Sequence, residues 1–472
     1  MSNRTVQVRE EAPQPWRDSW AMLPVVVIAI LMAQGIVLAF LRSGTSYDGA
    51  EQLLYSQYLD WGYGRSQPPL YTWALIAMHR IFGVGILAEH VLKFGLMSAG
   101  LLAVWNIARR IGASVPVAAT ALAACFLVVE IGWEFQRNYA HSVLLFALTG
   151  ALAIAYLRGS LLLFGAIAAA IVLAKYNGIL VIGALVVADG IGPRLFWSLR
   201  GAAALAVALL LCVPHGLWAL SNANAVFEIT DRFRAEDFRP WAAIAAYGIA
   251  ATGVGVLLAI VAALARLRAR LTVPDGPPRV MWHWAWVYWT VCLAAAVLAG
   301  LDQVNMRWLL PGVVPFLPVF AIMVNGAHHR LAGWVRWIGL ALLLLFTGGQ
   351  WIESTRINAR TDYDYASLYA ELAPPGTDAV PVALISNYAV FANLRLYGPI
   401  TVLHPSMPDL SRFDPDSAVI VADARRGAEV ARWARDLGLC AQGEPVTTEL
   451  PRRTGPDTLP VELLTVSRAA CP

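Results

Sequence analysis

The stretch S46-YDGAEQLLYSQYLDWGYGRSQPPLYT-W73, residues 46–73, mixes acids, tyrosines and tryptophans around a Pro-Pro pair, directly after an apolar run at 21–41. From Ala50 the apolar side chains recur at Leu53, Leu54, Tyr58 and Trp61, a helical spacing, with Glu51, Gln52, Tyr55 and Ser56 on other faces. Such a helix is expected to lie along a membrane surface. The Gln67-Pro68-Pro69 step stops one segment and starts another, because proline suits a first helical turn and restricts the residue before it. The following LYTWALIAMHRIF, 70–82, then reads as a second surface helix. Asp48 and Glu51 have the D-x-x-E spacing of a capping box, which predicts an N-cap role. A carboxylate held at a membrane surface also has the chemistry to accept a proton from a substrate hydroxyl.

The bulk composition supports a membrane setting for this stretch. Of 472 residues, 58% are hydrophobic and 14% charged, with 18 tryptophans, and the mean hydropathy is +0.59. A soluble chain carries about 25% charged residues. Apolar runs at 21–41, 86–108, 114–131, 141–157, 160–174, 178–189, 200–220, 241–264, 281–300, 311–325 and 333–351 give about eleven spans. The first run lacks a small-residue cleavage site and is read as an uncleaved helix behind a tail at 1–20. A net charge of +4 gives no indication of nucleic acid as a partner.

Segment 160–189 could be one long helix or two short ones hinged at Lys175-Tyr176-Asn177-Gly178. Two helices put the arginines of NIARRIG, YLRGS, PRLFWSLR, RLRAR and HHRLAGWVR on one side together with the N-terminal tail, as the positive-inside rule requires. The expected topology has the N-terminus in the cytoplasm. Loop 42–85, 132–140, the Lys175 hinge, 221–240, 301–310 and everything after 352 then face the far side. A membrane domain at 21–351 precedes a C-terminal domain at 352–472. In that domain VALIS and AVIVAD read as buried strands, and RRGAEVARWARDLG as an amphipathic helix ended by glycine. The C-terminal region therefore reads as a small α/β domain. Cys125, Cys212 and Cys292 lie in apolar runs, whereas Cys440 and Cys471 could pair in an oxidising compartment.

The order of motifs carries a resemblance. The first span, then YDGAEQLLYSQYLDWGYGRSQPPLYTW, QRNYAHSVLL, LAKYNGIL, PHGLWALSN and NMRWLLPGVVP, over most of 20–325, resembles the bacterial polytopic GT-C glycosyltransferases. The superfamily is that of ArnT and the protein O-mannosyltransferases, including rhizobial lipopolysaccharide galacturonosyltransferases. The resemblance implies a GT-C fold with two periplasmic juxtamembrane helices in the first loop. It also implies transfer of a sugar from a polyprenyl-phosphate carrier to a hydroxyl of a periplasmic glycan or glycolipid, in the bacterial inner membrane. Asp48 matches the superfamily's catalytic acid. The acid that usually follows it directly is replaced by Gly49, with Glu51 the next acid along. The configuration at the sugar carbon is expected to invert, and the departing phosphate needs cations.

Only two lysines occur, Lys93 and Lys175. Lys175 stands at the external end of a short helix, against the positive-inside trend, and could hold the carrier phosphate or simply snorkel. Arg307, before a proline-rich span, offers a guanidinium fork for a phosphate oxygen pair, or an interfacial anchor beside Trp308. Arg137 and His141 are further phosphate candidates, and Glu51, Tyr63 and Gln67 are acceptor or loop candidates. Lys93 could pair with Glu89 one turn earlier. WHWAWVYW at 282–289 reads as an interfacial aromatic belt or a lipid-tail groove. No His, Asp and Glu cluster has convincing metal-ligand spacing; a divalent ion remains possible but is not indicated. A transporter, or a non-catalytic protein that binds or flips the lipid carrier, would share the many spans, the broken helix and the buried charge.

Overall fold

The computed structural model describes residues 20–64, 67–190, 198–224, 226, 239–356, 362–373 and 380–471. Most of the expected tail at 1–20 and of the charged loop 228–240 lies outside the described residues. The helical part runs through α1 (Leu23–Leu41), α2 (Tyr47–Tyr55), α3 (Leu70–Phe82), α4 (Ile86–Arg110), α5 (Val115–Ala124), α6 (Ala140–Leu157) and α7 (Leu161–Ala174). It continues through α8 (Gly178–Asp189), α9 (Leu199–Ser221), α10 (Pro240–Arg266), α11 (Pro277–Leu298), α12 (Leu310–Ala327) and α13 (His329–Thr355). Among the described residues eight of these, α1, α4, α6 and α9 to α13, are long and apolar enough to cross a membrane. The chain is a multi-pass membrane protein.

Two apolar helices, α7 and α8, are shorter than a full span. Helices α7 and α8 break at Lys175, whose extended backbone (φ −165°, ψ 132°) ends the first of them. Segment 160–189 is thus two helices. The span expected at 114–131 is not straight: residues Val115–Leu127 and Glu130–Arg137 meet at 80°, and the second piece opens with a π-helical turn, Glu130–Glu134. Such turns cluster at functional sites in other proteins. The bend turns the Glu134–Asn138 segment toward the first loop.

Helix α2 departs from the expected surface position. Every residue from Gly49 to Tyr55 is buried, because Ala50, Leu53, Leu54 and Tyr55 share one apolar core with the C-terminal domain. Burying a single leucine there contributes about 1.5–3 kcal/mol. Its polar residues are buried too, and each finds a partner described below.

The C-terminal domain begins with α14 (Tyr365–Leu372) and builds one sheet from β1 (Val382–Ile385), β2 (Thr401–Leu403), β3 (Ser417–Asp423), β4 (Cys440–Ala441), β5 (Val446–Pro451) and β6 (Thr458–Ser467), with α15 (Gly427–Asp436) between β3 and β4. The strand order is β2-β1-β3-β6-β4, with β5 also on β6. β1 is parallel to β2 and β3, whereas β6 runs antiparallel to β3, β4 and β5. The buried runs VALI and AVIVAD form the centre of the sheet, as their composition demands, and Gly438 (φ 74°) follows α15 in the left-handed region. A disulfide joins Cys440, in β4, to Cys471 just beyond β6.

Candidate active site

The site forms where α2, the bent segment before α6, the α7–α8 break and the turn before α12 converge. Helix α2 starts at Ser46, whose side chain makes no capping hydrogen bond, so Asp48 lies inside the first turn rather than at the cap. The expected capping box is therefore not formed. A carboxylate in that turn is favoured by the helix dipole, and it is released from capping to reach across the site. Asp48 Oδ2 accepts the Tyr139 backbone N–H at 3.0 Å and stands 3.6 Å from Arg307 Nη1.

Tyr139 was not singled out by sequence, and nothing in the chain signals it. It sits in the left-handed region (φ 66°, ψ 40°) immediately before α6, a conformation a non-glycine residue adopts at a cost of about 1–3 kcal/mol. That backbone aims its N–H at Asp48. The ring lies 5.3 Å from the Arg307 guanidinium carbon, so one residue orients both charged partners.

Arg307 belongs to a short turn, Met306–Trp308, capped by the Asn305 side chain, which accepts the Arg307 N–H at 3.1 Å. The aromatic run of α11 holds this turn from behind. Tyr288 Oη donates to Trp308 O at 2.5 Å and Trp289 Nε1 to Leu309 O at 3.0 Å. Trp282, Trp286 and Trp289 otherwise stack with one another and with Phe316 of α12. Part of WHWAWVYW is therefore a scaffold for the arginine. Arg307 Nε is buried with no hydrogen-bond partner, an orphaned donor of the kind a bound anion satisfies.

Lys175 donates to Ser142 Oγ at 2.7 Å. Arg307 and Asp48 are the charged groups near enough to act on its side-chain nitrogen. His141 plays a different part from the expected phosphate ligand: its Nδ1 pairs with Ala174 O at 3.0 Å and its Nε2 with Gln52 Nε2 at 3.1 Å. Since the Gln52 amide nitrogen can only donate, the ring is neutral and its Nδ1–H donates to Ala174 O. Thr72 Oγ1 completes the chain by donating to Gln52 Oε1 at 2.7 Å. His141 thus ties α2 and α3 to the helix break, with both nitrogens occupied.

Arg137 pairs with Glu134 at 3.4 Å and lines a cavity that includes neither Lys175 nor Arg307. Glu51 is buried and accepts from Gln67 Nε2 at 3.0 Å. Tyr63 is also fully buried; its backbone N–H donates to Gln67 O at 3.2 Å and its hydroxyl to Tyr58 O at 3.0 Å. These contacts tie the three candidates to one another and to Tyr58 within the loop.

Gly49 has a function its sequence position did not reveal. A Cβ at that position would stand 2.7 Å and 2.8 Å from the two carboxylate oxygens of Glu89, and 2.8 Å from Thr45 Cβ. Glycine lets a second carboxylate pack against the turn that carries Asp48. Glu89 in turn pairs with Lys93 at 3.4 Å, with both side chains almost wholly buried. Among the described residues, no group of three or more His, Cys, Asp or Glu side chains is placed to hold a metal ion.

Comparison with known proteins agrees with this architecture. Residues 66–218 match the family model described as dolichyl-phosphate-mannose-protein mannosyltransferase. The lipopolysaccharide core galacturonosyltransferases RgtB and RgtA of Rhizobium johnstonii are relatives. RgtB is 26% identical over 326 residues, 64% of this chain; RgtA is 29% identical over 210 residues, 42% of this chain. The chain spans 65% of the length of RgtB and 42% of that of RgtA, less than two thirds in each case. Crystal structures of ArnT from Cupriavidus metallidurans, apo and bound to undecaprenyl phosphate, superpose with a TM-score of 0.65 at 13% and 14% identity. They cover 95% and 96% of this chain and 98% of ArnT. The fold is that of ArnT, the GT-C architecture.

Proposed function

We propose that this chain, a multi-pass protein with the GT-C fold, is an inverting glycosyltransferase that moves a sugar from a polyprenyl-phosphate carrier to a hydroxyl of a glycan or glycolipid. The observation that carries the reading is the contact of Asp48 with Arg307 at 3.6 Å, with both charges acting on Lys175. The acceptor oxygen bonds to the anomeric carbon as the bond from that carbon to the phosphate oxygen breaks. Asp48 takes the hydroxyl proton, and the electron pair leaves on the polyprenyl phosphate. Arg307, with its unsatisfied Nε, and Lys175 stabilise that departing charge. In-line attack inverts the configuration. The names of the relatives make a lipopolysaccharide core the first acceptor to test and a uronic acid the first sugar.

The same reading assigns the chain to the bacterial inner membrane, with 1–20 cytoplasmic, 21–351 as the transferase domain, and the first loop 42–85 and domain 352–472 periplasmic. The Cys440–Cys471 disulfide supports an oxidising compartment for that last domain. The test is transfer by purified protein in lipid nanodiscs, supplied with a polyprenyl-phosphate sugar and with lipopolysaccharide from a strain lacking the gene. Formation of the extended glycan with inverted linkage is expected. Binding of polyprenyl phosphate with no transfer to any acceptor would favour a carrier-binding or flipping protein instead.

A further inference from the structure

The left-handed backbone at Tyr139 aims its N–H at Asp48, and a conformation of that kind persists only where its surroundings over-determine it. On its C-terminal side, His141 is held at Ala174 O and at Gln52. The N-terminal side is fixed from inside the bundle. Three residues before Tyr139, Gln136 is wholly buried, and its Nε2 donates to Gly132 O at 2.6 Å, within the π-helical turn Glu130–Glu134. Its Oε1 accepts from Gln34 Nε2 of α1 at 3.1 Å.

Gln34 is the one polar side chain in α1 and is buried within the bundle, where an amide is costly unless its groups are paired. Both ends of the amide are used. Nε2 also donates to Thr347 O at 3.3 Å, and Oε1 accepts Trp351 Nε1 at 2.5 Å, both from α13. Helix α13 grips the π-helical turn directly as well. Gln350 Nε2 donates to Trp133 O at 3.4 Å. A Cβ at Gly132 would stand 2.4 Å from the Phe346 ring, and one at Gly349 would stand 2.6 Å from the Trp133 ring. Glycine at those two positions lets the turn and α13 close on each other. Lys93 Nζ adds a contact to Arg137 O at 3.5 Å, one residue after Gln136.

We infer that Gln34 and Gln136 are positioning residues for the proposed base: the pair anchors the bent segment, the anchored segment keeps Tyr139 left-handed, and the Tyr139 N–H sets the place of the Asp48 carboxylate. The inference rests on the assignment of Asp48 in the transferase reading above. Both glutamines act through Tyr139. An N–H donated to a carboxylate favours its ionised form. Withdrawing that donor raises the pH at which Asp48 becomes protonated, so the acid limb of the rate profile moves upward. It also frees the carboxylate to swing away from the acceptor hydroxyl.

The experiment follows single-turnover transfer by the full-length protein in nanodiscs, from a polyprenyl-phosphate sugar to lipopolysaccharide from a strain lacking the gene, across pH. Gln136→Met should slow transfer about tenfold to 10²-fold, because a small misplacement of a reacting group is enough for such a loss. Its donor KM should stay unchanged, and its acid limb should move up by about one pH unit. In the Asp48→Asn background the same substitution should cause no further loss, since residues that act through one group are not additive. Gln34→Met removes the bond from the α1 side and leaves the Gln136–Gly132 contact in place. It should act in the same direction, and it provides the measurement if Gln136→Met does not fold. A parental rate and pH profile in the folded variants, or an equal loss with and without Asp48, overturns the inference and leaves the transferase reading intact. Parental transfer by Asp48→Asn itself overturns the assignment of the base and this inference with it.

Discussion

Arg307 Nη1 lies 3.6 Å from Asp48 Oδ2, and the same carboxylate oxygen receives the Tyr139 N–H. The cation proposed for the donor phosphate is therefore in contact with the group proposed as base. On the proposed mechanism, a phosphate bound at Arg307 would draw that guanidinium toward itself and leave Asp48 freer to accept a proton. Arg307→Gln should raise the donor KM by about tenfold or more, since hydrogen bonds to charged groups contribute about 1.5–3 kcal/mol. Arg307→Lys should recover only part of the loss, because an ammonium lacks the forked donors and the stacking on Tyr139. Steady-state kinetics against donor concentration measures both.

Lys175 gives a separate expectation. Its ammonium group already has Ser142 as a neutral partner, so Lys175→Met removes charge without leaving a carboxylate unpaired. The variant should fold and reach the membrane at normal levels while binding polyprenyl phosphate about tenfold or more weakly. Titration of the purified protein with the lipid checks it. Undiminished affinity would assign Lys175 to structure alone.

Gly49 and Glu89 make a prediction about packing. With Cβ contacts of 2.7 and 2.8 Å to the Glu89 carboxylate, Gly49→Ala must push Glu89 or α2 aside, at about 1–3 kcal/mol, and should lower kcat by moving Asp48. Glu89→Ala alone leaves Lys93 buried without its acid, at a cost on the order of 3–5 kcal/mol. The double variant Glu89→Gln, Lys93→Met should recover much of that stability. Thermal unfolding in nanodiscs, followed together with kcat, separates the two effects.

The fold was legible in the sequence because membrane spans are written as uninterrupted apolar length, and the positions of the arginines resolved the break at Lys175. The sheet was half-legible. β1 and β3 are largely buried and read as apolar runs, whereas β5, paired only with β6, and β6 itself mix polar and apolar residues and give no clean period. In the site, residue types pointed to Asp48, Arg307 and Lys175, but orientation could not be read. His141, Tyr63, Glu51 and Gln67 carry the same chemistry as ligands, and only their buried partners show that they brace the loop. The D-x-x-E spacing suggested a cap that α2 does not use, since the helix begins at Ser46. Gly49 was legible only as the residue replacing a second acid, and its close approach to Glu89 appears only in the packing. Tyr139 carried none, because a left-handed backbone at a tyrosine is imposed by its surroundings.

The disulfide gives a prediction for the C-terminal domain. It ties β4 to Cys471, four residues beyond the end of β6, across 31 positions. Replacing Cys440 and Cys471 by serine should destabilise the sheet by about 3–4 kcal/mol on chain-entropy grounds. Protease sensitivity should rise within 380–471 and not within the helical bundle. Limited proteolysis with and without reductant reads this directly.

The most direct test of the mechanism is Asp48→Asn, measured for donor binding and for single-turnover transfer in the same nanodisc preparation. The amide can still accept the Tyr139 N–H but cannot take a proton. The account predicts a folded protein that binds polyprenyl phosphate at least as tightly as the parent and transfers sugar about 10²–10⁴ times more slowly. Transfer at the parental rate would contradict it.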